Sequence, residues 1–397
     1  MLNVLSCVKK YESITKSEII KLTGLNVGTV NSFVGQLEKV GLVEESGVTV
    51  STGGRKAIVY RFCPNAFFFI GVSIHIDSLT IGLFDYNLSI LEKTEISYKI
   101  GVNSIDKDIN TVVQIINDLI LKNKIPKEKM SGIGLSVPGL VDYKRGVILD
   151  LPHIPTWKNI PVSQWINAAT DLSVLVDNNN NCNVLALKWT YPEYAEKNLI
   201  YVSTVEGIGV GVVINGEIYR GKRYMAGEIG HITVNPHGEE CTCGNRGCIE
   251  LYASDTGICR IAQTELQKGA YSILADLRKN GTIDMSMLVL AARMNDPFVL
   301  RILDESTLYI SICIENTIKT YDPDYVVLDI PWLNELPVYK SKVIDDIFLR
   351  TRFIQRDDIQ IDLCNVTDIF LKGAANLIVD RDFNLENTTG ILNYAMS

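Results

Sequence analysis

The sequence predicts an α/β protein, with a small helical head followed by a body built as two lobes. Three observations predict it. The first 62 residues carry apolar residues at helical spacing and then short β-type runs. From Phe67 onward, long β-rich runs alternate with amphipathic helical ones, and this alternation opens twice with a meander. The charge also changes sign between the parts. Residues 1–62 hold eight Lys/Arg against five acids, a balance of +3 that leaves −11 for the rest of a chain whose total is −8. Such a sign change suggests a small module for a polyanion attached to an acidic body.

In the head, Leu2, Val4, Leu5 and Val8 fall at helical spacing and give a first helix. Thr15, with Glu18 three residues on, reads as a capping box opening a second helix over 16–22. Thr23-Gly24-Leu25-Asn26 is a tight turn, with Asn26 placed to cap a third helix. That helix carries Val27, Val30, Val34, Leu37 and Val40 as its apolar stripe and ends at Gly41. Two β-type runs follow, 42–45 and 48–50, joined at Ser46-Gly47 as a hairpin. Helix, helix, turn, helix, hairpin is the order of a winged helix-turn-helix, whose third helix enters the DNA major groove. Its polar positions Asn26, Gly28, Thr29, Asn31, Ser32 and Gln36 are then candidate base contacts, with Lys16, Arg55 and Lys56 neutralising phosphates. The same elements could instead form a protein-docking module with a solvated polar face.

In the body, 68–74, 80–85 and 89–96 read as a three-strand meander, 109–121 as an amphipathic helix, and 132–137 and 174–176 as buried strands. A helix then runs through Leu187. A second meander follows at 199–204, 209–214 and 217–219, and several helices lead to a strand at 325–328. Two such sheets crossed by helices imply two α/β lobes with a cleft between them. The expected divisions are 1–62 for the head, 63–185 for the first lobe closed by a C-terminal helix over about 372–397, and 186–371 for the second lobe.

Composition narrows the class further. With 47% apolar and 21% charged residues in 397, the chain can bury a large core, which excludes disorder and disulfide-stapled mini-folds. The run from Phe67 to Ile76 is broken by His75 and falls short of the ~20 apolar residues a membrane span needs. No basic segment followed by an apolar core opens the chain. A soluble, cytoplasmic protein without membrane contact is expected. Nine cysteines, an odd number, suit a reducing compartment where thiols are metal ligands or core filler.

The most informative stretch is Gly227-Glu228-Ile229-Gly230-His231, followed by Cys241-Thr242-Cys243-Gly244-Asn245-Arg246-Gly247-Cys248-Ile249-Glu250. Three thiols and one imidazole make a Cys₃His set, which matches tetrahedral structural zinc with no open position for water. Gly244 and Gly247 supply the turns that let Cys243 and Cys248 reach one ion. The candidate ligands are His231, Cys241, Cys243 and Cys248. The other six cysteines lie in apolar or helical contexts and read as core.

These residues closely resemble the signature of the ROK family (repressors, open reading frames and sugar kinases). The similarity extends to Ser136-Val137-Pro138-Gly139-Leu140-Val141-Asp142, Trp157, Asp177-Asn178-Asn179 and Gly373-Ala374-Ala375. The winged helix is similar to the repressor branch, which includes the xylose, N-acetylglucosamine and glucose-linked regulators. The resemblance implies an actin-like or hexokinase-like (ribonuclease H-like) body and a sugar held in the interlobe cleft. Carried over by position, the sugar contacts are Gly139, Asn178, Asn179, Glu228, His231 and Glu250. Their carboxylates and amides suit vicinal hydroxyls, and His231 would bind zinc through one nitrogen and order the sugar site with the other.

The family's kinases need a base and two glycine-rich phosphate loops. The base, an Asp in the family, falls here on Asn179, which accepts no proton at neutral pH. The first loop reads Ser73-Ile74-His75-Ile76-Asp77-Ser78, without glycine or lysine, and the second reads Val205-Glu206-Gly207-Ile208-Gly209. Glu206 would set a negative charge against a polyphosphate, costing about 4 kcal/mol per like-charge pair at ~4 Å and an effective dielectric of ~20. The expectation is therefore a catalytically inactive, sugar-responsive repressor of carbohydrate-use genes with structural Zn²⁺. It would bind operator DNA as a homodimer or homotetramer. An active sugar kinase with an accessory head, or a sugar-sensing scaffold, stand as the alternatives.

Overall fold

The computed structural model describes residues 2–11, 13–48, 56–152, 154, 156–278 and 281–383. The head follows its local signals closely. Leu2–Lys10 is the first helix. Thr15 and Glu18 form the full capping box that opens Lys16–Thr23, and Gly24 closes that helix in the left-handed region. Val27–Lys39 is the third helix, capped by Asn26, with Val30, Val34 and Leu37 buried.

Two readings of the head need correction. Val27 is 60% exposed, because as the first helical residue it precedes the turn at which the stripe faces the core. The hairpin at Ser46-Gly47 is not there. Val43–Val48 is one strand, and its partner is Ile58–Phe62, paired antiparallel. The Ser46-Gly47 step is a bulge between Glu45 and Gly47, and Gly47 at φ 138° lets the strand continue through it. The wing's two strands are therefore Val43–Val48 and Ile58–Phe62, and the expected strand end at 49–50 lies outside the described residues.

The body contains two five-stranded sheets of the same topology. In the first, Ile90–Ser97, Ser78–Asp85 and Phe68–Ile74 form an antiparallel meander. Met130–Val137 and then Val174–Asn178 add in parallel on its far side. In the second, Glu217–Ile218, Gly209–Ile214 and Leu199–Ser203 form the meander, and Tyr325–Asp329 and Gln360–Leu363 add in parallel. The burial of each strand follows its place. Phe68–Ile74, in the middle, is buried throughout, whereas the edge strand Ile90–Ser97 alternates between half-buried and exposed positions. The strand Gln360–Leu363 and a small sheet over 140–160 have no counterpart in the sequence reading. Both are built of runs of three or four residues, too short for a period to stand out in the sequence.

Two helices tie the parts together. Asn179–Thr190 leaves the last strand of the first sheet and packs on the strands of the second, so the expected boundary at 185/186 falls inside it. Ile369–Phe383 packs on that helix and on the first sheet, and joins the apolar cluster that contains the head's Val30, Val34 and Leu37. It opens at Ile369 rather than near 372, and the rest of the expected helix lies outside the described residues. The head meets the body at Tyr86, whose backbone carbonyl accepts from Lys9 Nζ at 3.3 Å. The Tyr86 hydroxyl donates to Asp382, and Arg381 anchors the same corner by donating to the Ser131 carbonyl at 2.9 Å.

No helix among the described residues is long and apolar enough to cross a membrane.

Candidate functional site

The cleft lies between the carboxyl ends of strands from both sheets. From the first lobe it is lined by Pro138, Gly139, Pro152, Asn178, Asn179 and Asn180. From the second come Ser203, Glu206, Gly207, Ile208, Gly209, Glu228, His231, Thr242 and Glu250, with Phe370 closing one side. All six residues expected from the resemblance to hold a sugar therefore line one cavity.

Local structure fixes each of them. Asn178 caps Asn179–Thr190 by accepting from Asn180 N–H at 2.8 Å, and its amide nitrogen donates to the Gly139 carbonyl at 2.9 Å. That bond ties the Pro138-Gly139 loop to the helix start. Asn179 is buried, and its Oδ1 accepts from the backbone and side chain of Asn180 at 2.9 and 3.1 Å, which leaves its amide N–H₂ as the polar end. Glu250 opens the short helix Glu250–Ala253, and its Oε2 accepts from Ile208 N–H at 3.1 Å. Glu228 sits with Oε2 3.9 Å from His231 Nε2. Burial pushes its carboxyl above the usual carboxylate range, with His231 opposing the rise and Glu250 adding to it.

Behind this wall the ligating atoms of His231, Cys241, Cys243 and Cys248 all lie within 4.8 Å of one another. His231 Nδ1 is 3.6 Å from Cys241 Sγ, and Cys243 Sγ is 3.7 Å from Cys248 Sγ. A tetrahedron with metal–sulfur bonds of ~2.3 Å has S–S edges of about 3.8 Å, so the spacing fits a metal and is far too long for a disulfide. Gly244 and Gly247 adopt left-handed φ of 87° and 62°, as the turns require. Among the described residues no other group of ligands gathers in this way. The imidazole thus faces the thiols with Nδ1 and Glu228 with Nε2, and one ring joins the thiol cluster to the cleft.

Sequence reasoning missed Pro152, Asn180, Ser203, Thr242 and Phe370 as lining residues. The run Asn178 to Asn181 was the one signal available for Asn180. Thr242 sat among thiols, and Phe370 comes from a helix more than 100 residues away in sequence. It also missed the partners of His75. Its Nδ1 is 2.9 Å from Glu206 Oε1, and its Nε2 is 2.9 Å from Ser73 Oγ. The segments 73–78 and 205–209 are thus joined to each other.

In the head, Asn31, Ser32 and Lys56 are exposed, and Thr29 is half-buried. Two expected contacts also have partners within the head. Asn26 Oδ1 accepts from Thr29 N–H at 2.8 Å as the helix cap, so only its amide N–H₂ can reach outward. Lys16 stacks its ammonium 4.9 Å from the Tyr60 ring centroid, a site that holds the charge near the wing. Arg55 lies outside the described residues.

A family model described as the ROK family matches residues 69–334. The chain is 29% identical over 343 residues to the xylose repressor of Bacillus spizizenii, spanning 86% of this chain and 85% of that protein. It is 27% identical over 318 residues to the glucokinase of Thermotoga maritima, spanning 79% of this chain and 97% of that one. A solved ROK-family transcriptional regulator, homologous to the E. coli MLC protein, superposes with a TM-score of 0.81 at 23% identity. That match covers 99% of this chain and 97% of its own.

Proposed function

This chain belongs to the ROK family, and from that premise we propose that it is a sugar-responsive transcriptional repressor that binds operator DNA and has no phosphotransferase activity. The observation that carries the reading is the cleft. Five polar side chains suited to vicinal hydroxyls, Asn178, Asn179, Glu228, His231 and Glu250, meet there, while on the family resemblance Asn179 falls where the kinases carry their base and Glu206 falls in their second phosphate loop. An amide cannot take the proton of an acceptor hydroxyl at neutral pH. A carboxylate in the cradle repels a polyphosphate.

The effector is an aldose, with xylose the first to test given the repressor relatives. Glu228 and Glu250 accept from its hydroxyls, Asn178 and Asn179 donate to them, and Gly139 shapes the floor. The Cys₃His cluster holds Zn²⁺, which shapes the loop between His231 and Glu250 and fixes the imidazole. The head reads DNA through Asn31, Ser32 and Thr29 with the amide of Asn26, and Lys16, Arg55 and Lys56 contact phosphates. A homodimer sets two heads on a two-fold operator.

Sugar reaches the heads through the helix Ile369–Phe383. Its first turn puts Phe370 on the cleft and its last turn puts Asp382 on Tyr86, beside the head's Lys9. Release from DNA requires that the sugar-bound arrangement binds the operator less well, by no more than the sugar's own differential affinity.

A sugar kinase is the rival reading, and the glucokinase relative favours it. Incubation with ATP and a panel of xylose, glucose and N-acetylglucosamine separates the two. No sugar phosphate should accumulate, while the same sugars raise the melting temperature. Turnover that disappears in Glu228→Ala overturns the proposal.

A further inference from the structure

His75 and Glu206 stand on opposite lobes. His75 follows the strand Phe68–Ile74, and Glu206 lies in the turn between Leu199–Ser203 and Gly209–Ile214. Their contact is sheltered, with the two side chains 20% and 16% exposed. Glu206 Oε1 accepts twice from the first lobe, from the imidazole at 2.9 Å and from Ile76 N–H at 3.2 Å. The ring is held on two further sides, by Ser73 Oγ at 2.9 Å and edge-on by Phe370 at 5.0 Å between centroids. Two residues after Glu206, Ile208 N–H donates to Glu250. These contacts form a bridge between the lobes at the lip of the cleft.

We infer that His75 and Glu206 form an interlobe latch that positions the turn Val205–Gly209, and through it the Glu250 carboxylate, for the effector. In this role they are positioning residues. The inference rests on the sugar-site reading given above. With the latch closed, the second lobe's wall already faces the first lobe's Asn178 and Asn179 before sugar arrives. With it broken, binding must also bring the lobes together, and a binding-competent state populated at one part in ten weakens the apparent affinity about tenfold.

The test uses the full chain and D-xylose, D-glucose and N-acetyl-D-glucosamine as probes in titration calorimetry, with small-angle scattering of the ligand-free protein. His75→Ala and Glu206→Ala should each weaken the bound sugar about tenfold. The double variant should be no worse than either single one, because both break one contact. Glu206→Gln, which keeps an acceptor for Ile76 N–H, should retain affinity between Glu206→Ala and wild type. The ligand-free radius of gyration should rise in the alanine variants and fall again with sugar. If His75→Ala fails to fold, Glu206→Gln and Glu206→Ala carry the comparison. Single variants that bind within twofold of wild type, or losses that add in the double variant, overturn the latch. Wild type that binds none of the three sugars removes the sugar site and the latch with it. Wild type that binds while Glu228→Ala does not upholds the site on its own, whatever the latch variants show.

Discussion

Gly207→Ala isolates the carboxylate that the account depends on. A Cβ built on Gly207 lies 2.5 Å from Glu250 Oε2 and 3.4 Å from its Cδ. The Gly207 backbone is outside the left-handed region, so the cost of alanine is this contact and not strain in the chain. Oε2 is the atom that accepts from Ile208 N–H at 3.1 Å. The methyl group must push it aside, and the carboxylate then loses its fixed aim at a sugar hydroxyl. A hydrogen bond to a charged group contributes about 1.5–3 kcal/mol, which converts to roughly 10- to 150-fold in dissociation constant. Fold stability should change little, because Glu250 sits at the edge of the cleft, and the melting temperature should stay within about 3 °C. Titration calorimetry with xylose and a thermal melt of the same sample measure both. Wild-type affinity in Gly207→Ala, with the melt unchanged, would refute the assignment of Glu250 as a sugar contact.

Removing the metal with a strong chelator should release one zinc per chain by elemental analysis and lower the melting temperature. It should also abolish sugar binding, since His231 bridges the cluster and Glu228. Asp255 accepts from Thr204 Oγ1 at 2.8 Å, and burial pushes its carboxyl up to about 7. Its stability contribution is full below the unfolded value near 3.8 and is lost as pH rises through about 7. Asp255→Asn should therefore stabilise more at pH 8 than at pH 5, by on the order of 2 kcal/mol in denaturant melts, and equal gains at the two pH values would contradict this. Tyr86→Phe removes the hydroxyl that donates to Asp382 at the joint of head and body. It should keep sugar affinity but blunt sugar-driven DNA release in fluorescence anisotropy. Lys56→Ala should weaken operator binding similarly across sequences and reduce the salt slope by about one, whereas Asn31→Ala should relax base preference.

What could be read from the chain was what is local in it. The four residues of the Cys₃His cluster fall within one stretch from His231 to Cys248, and their chemistry is specific, so spacing alone brings them to notice. The capping box at Thr15 and Glu18 is likewise a contact three residues long. The wing shows the limit of such reasoning. Ser46-Gly47 has the composition of a hairpin turn, but a bulge asks for the same glycine, and only the pairing with Ile58–Phe62 decides between them. Asn26 met two demands with one side chain, and the cap took its oxygen. The His75–Glu206 pair is 131 residues apart, with no periodicity to announce it, and it exists only because two turns on separate sheets meet. The contribution of Phe370 is hidden for the same reason.

In the proposed function, sugar in the cleft governs the head's hold on DNA. Fluorescence anisotropy of a labelled operator fragment, titrated with the full chain in the presence and absence of saturating sugar at fixed salt, measures this directly. Operator affinity should drop clearly on adding the sugar that calorimetry shows to bind, with no such drop in Glu228→Ala. Operator binding that is unchanged by a sugar shown to occupy the cleft would contradict it.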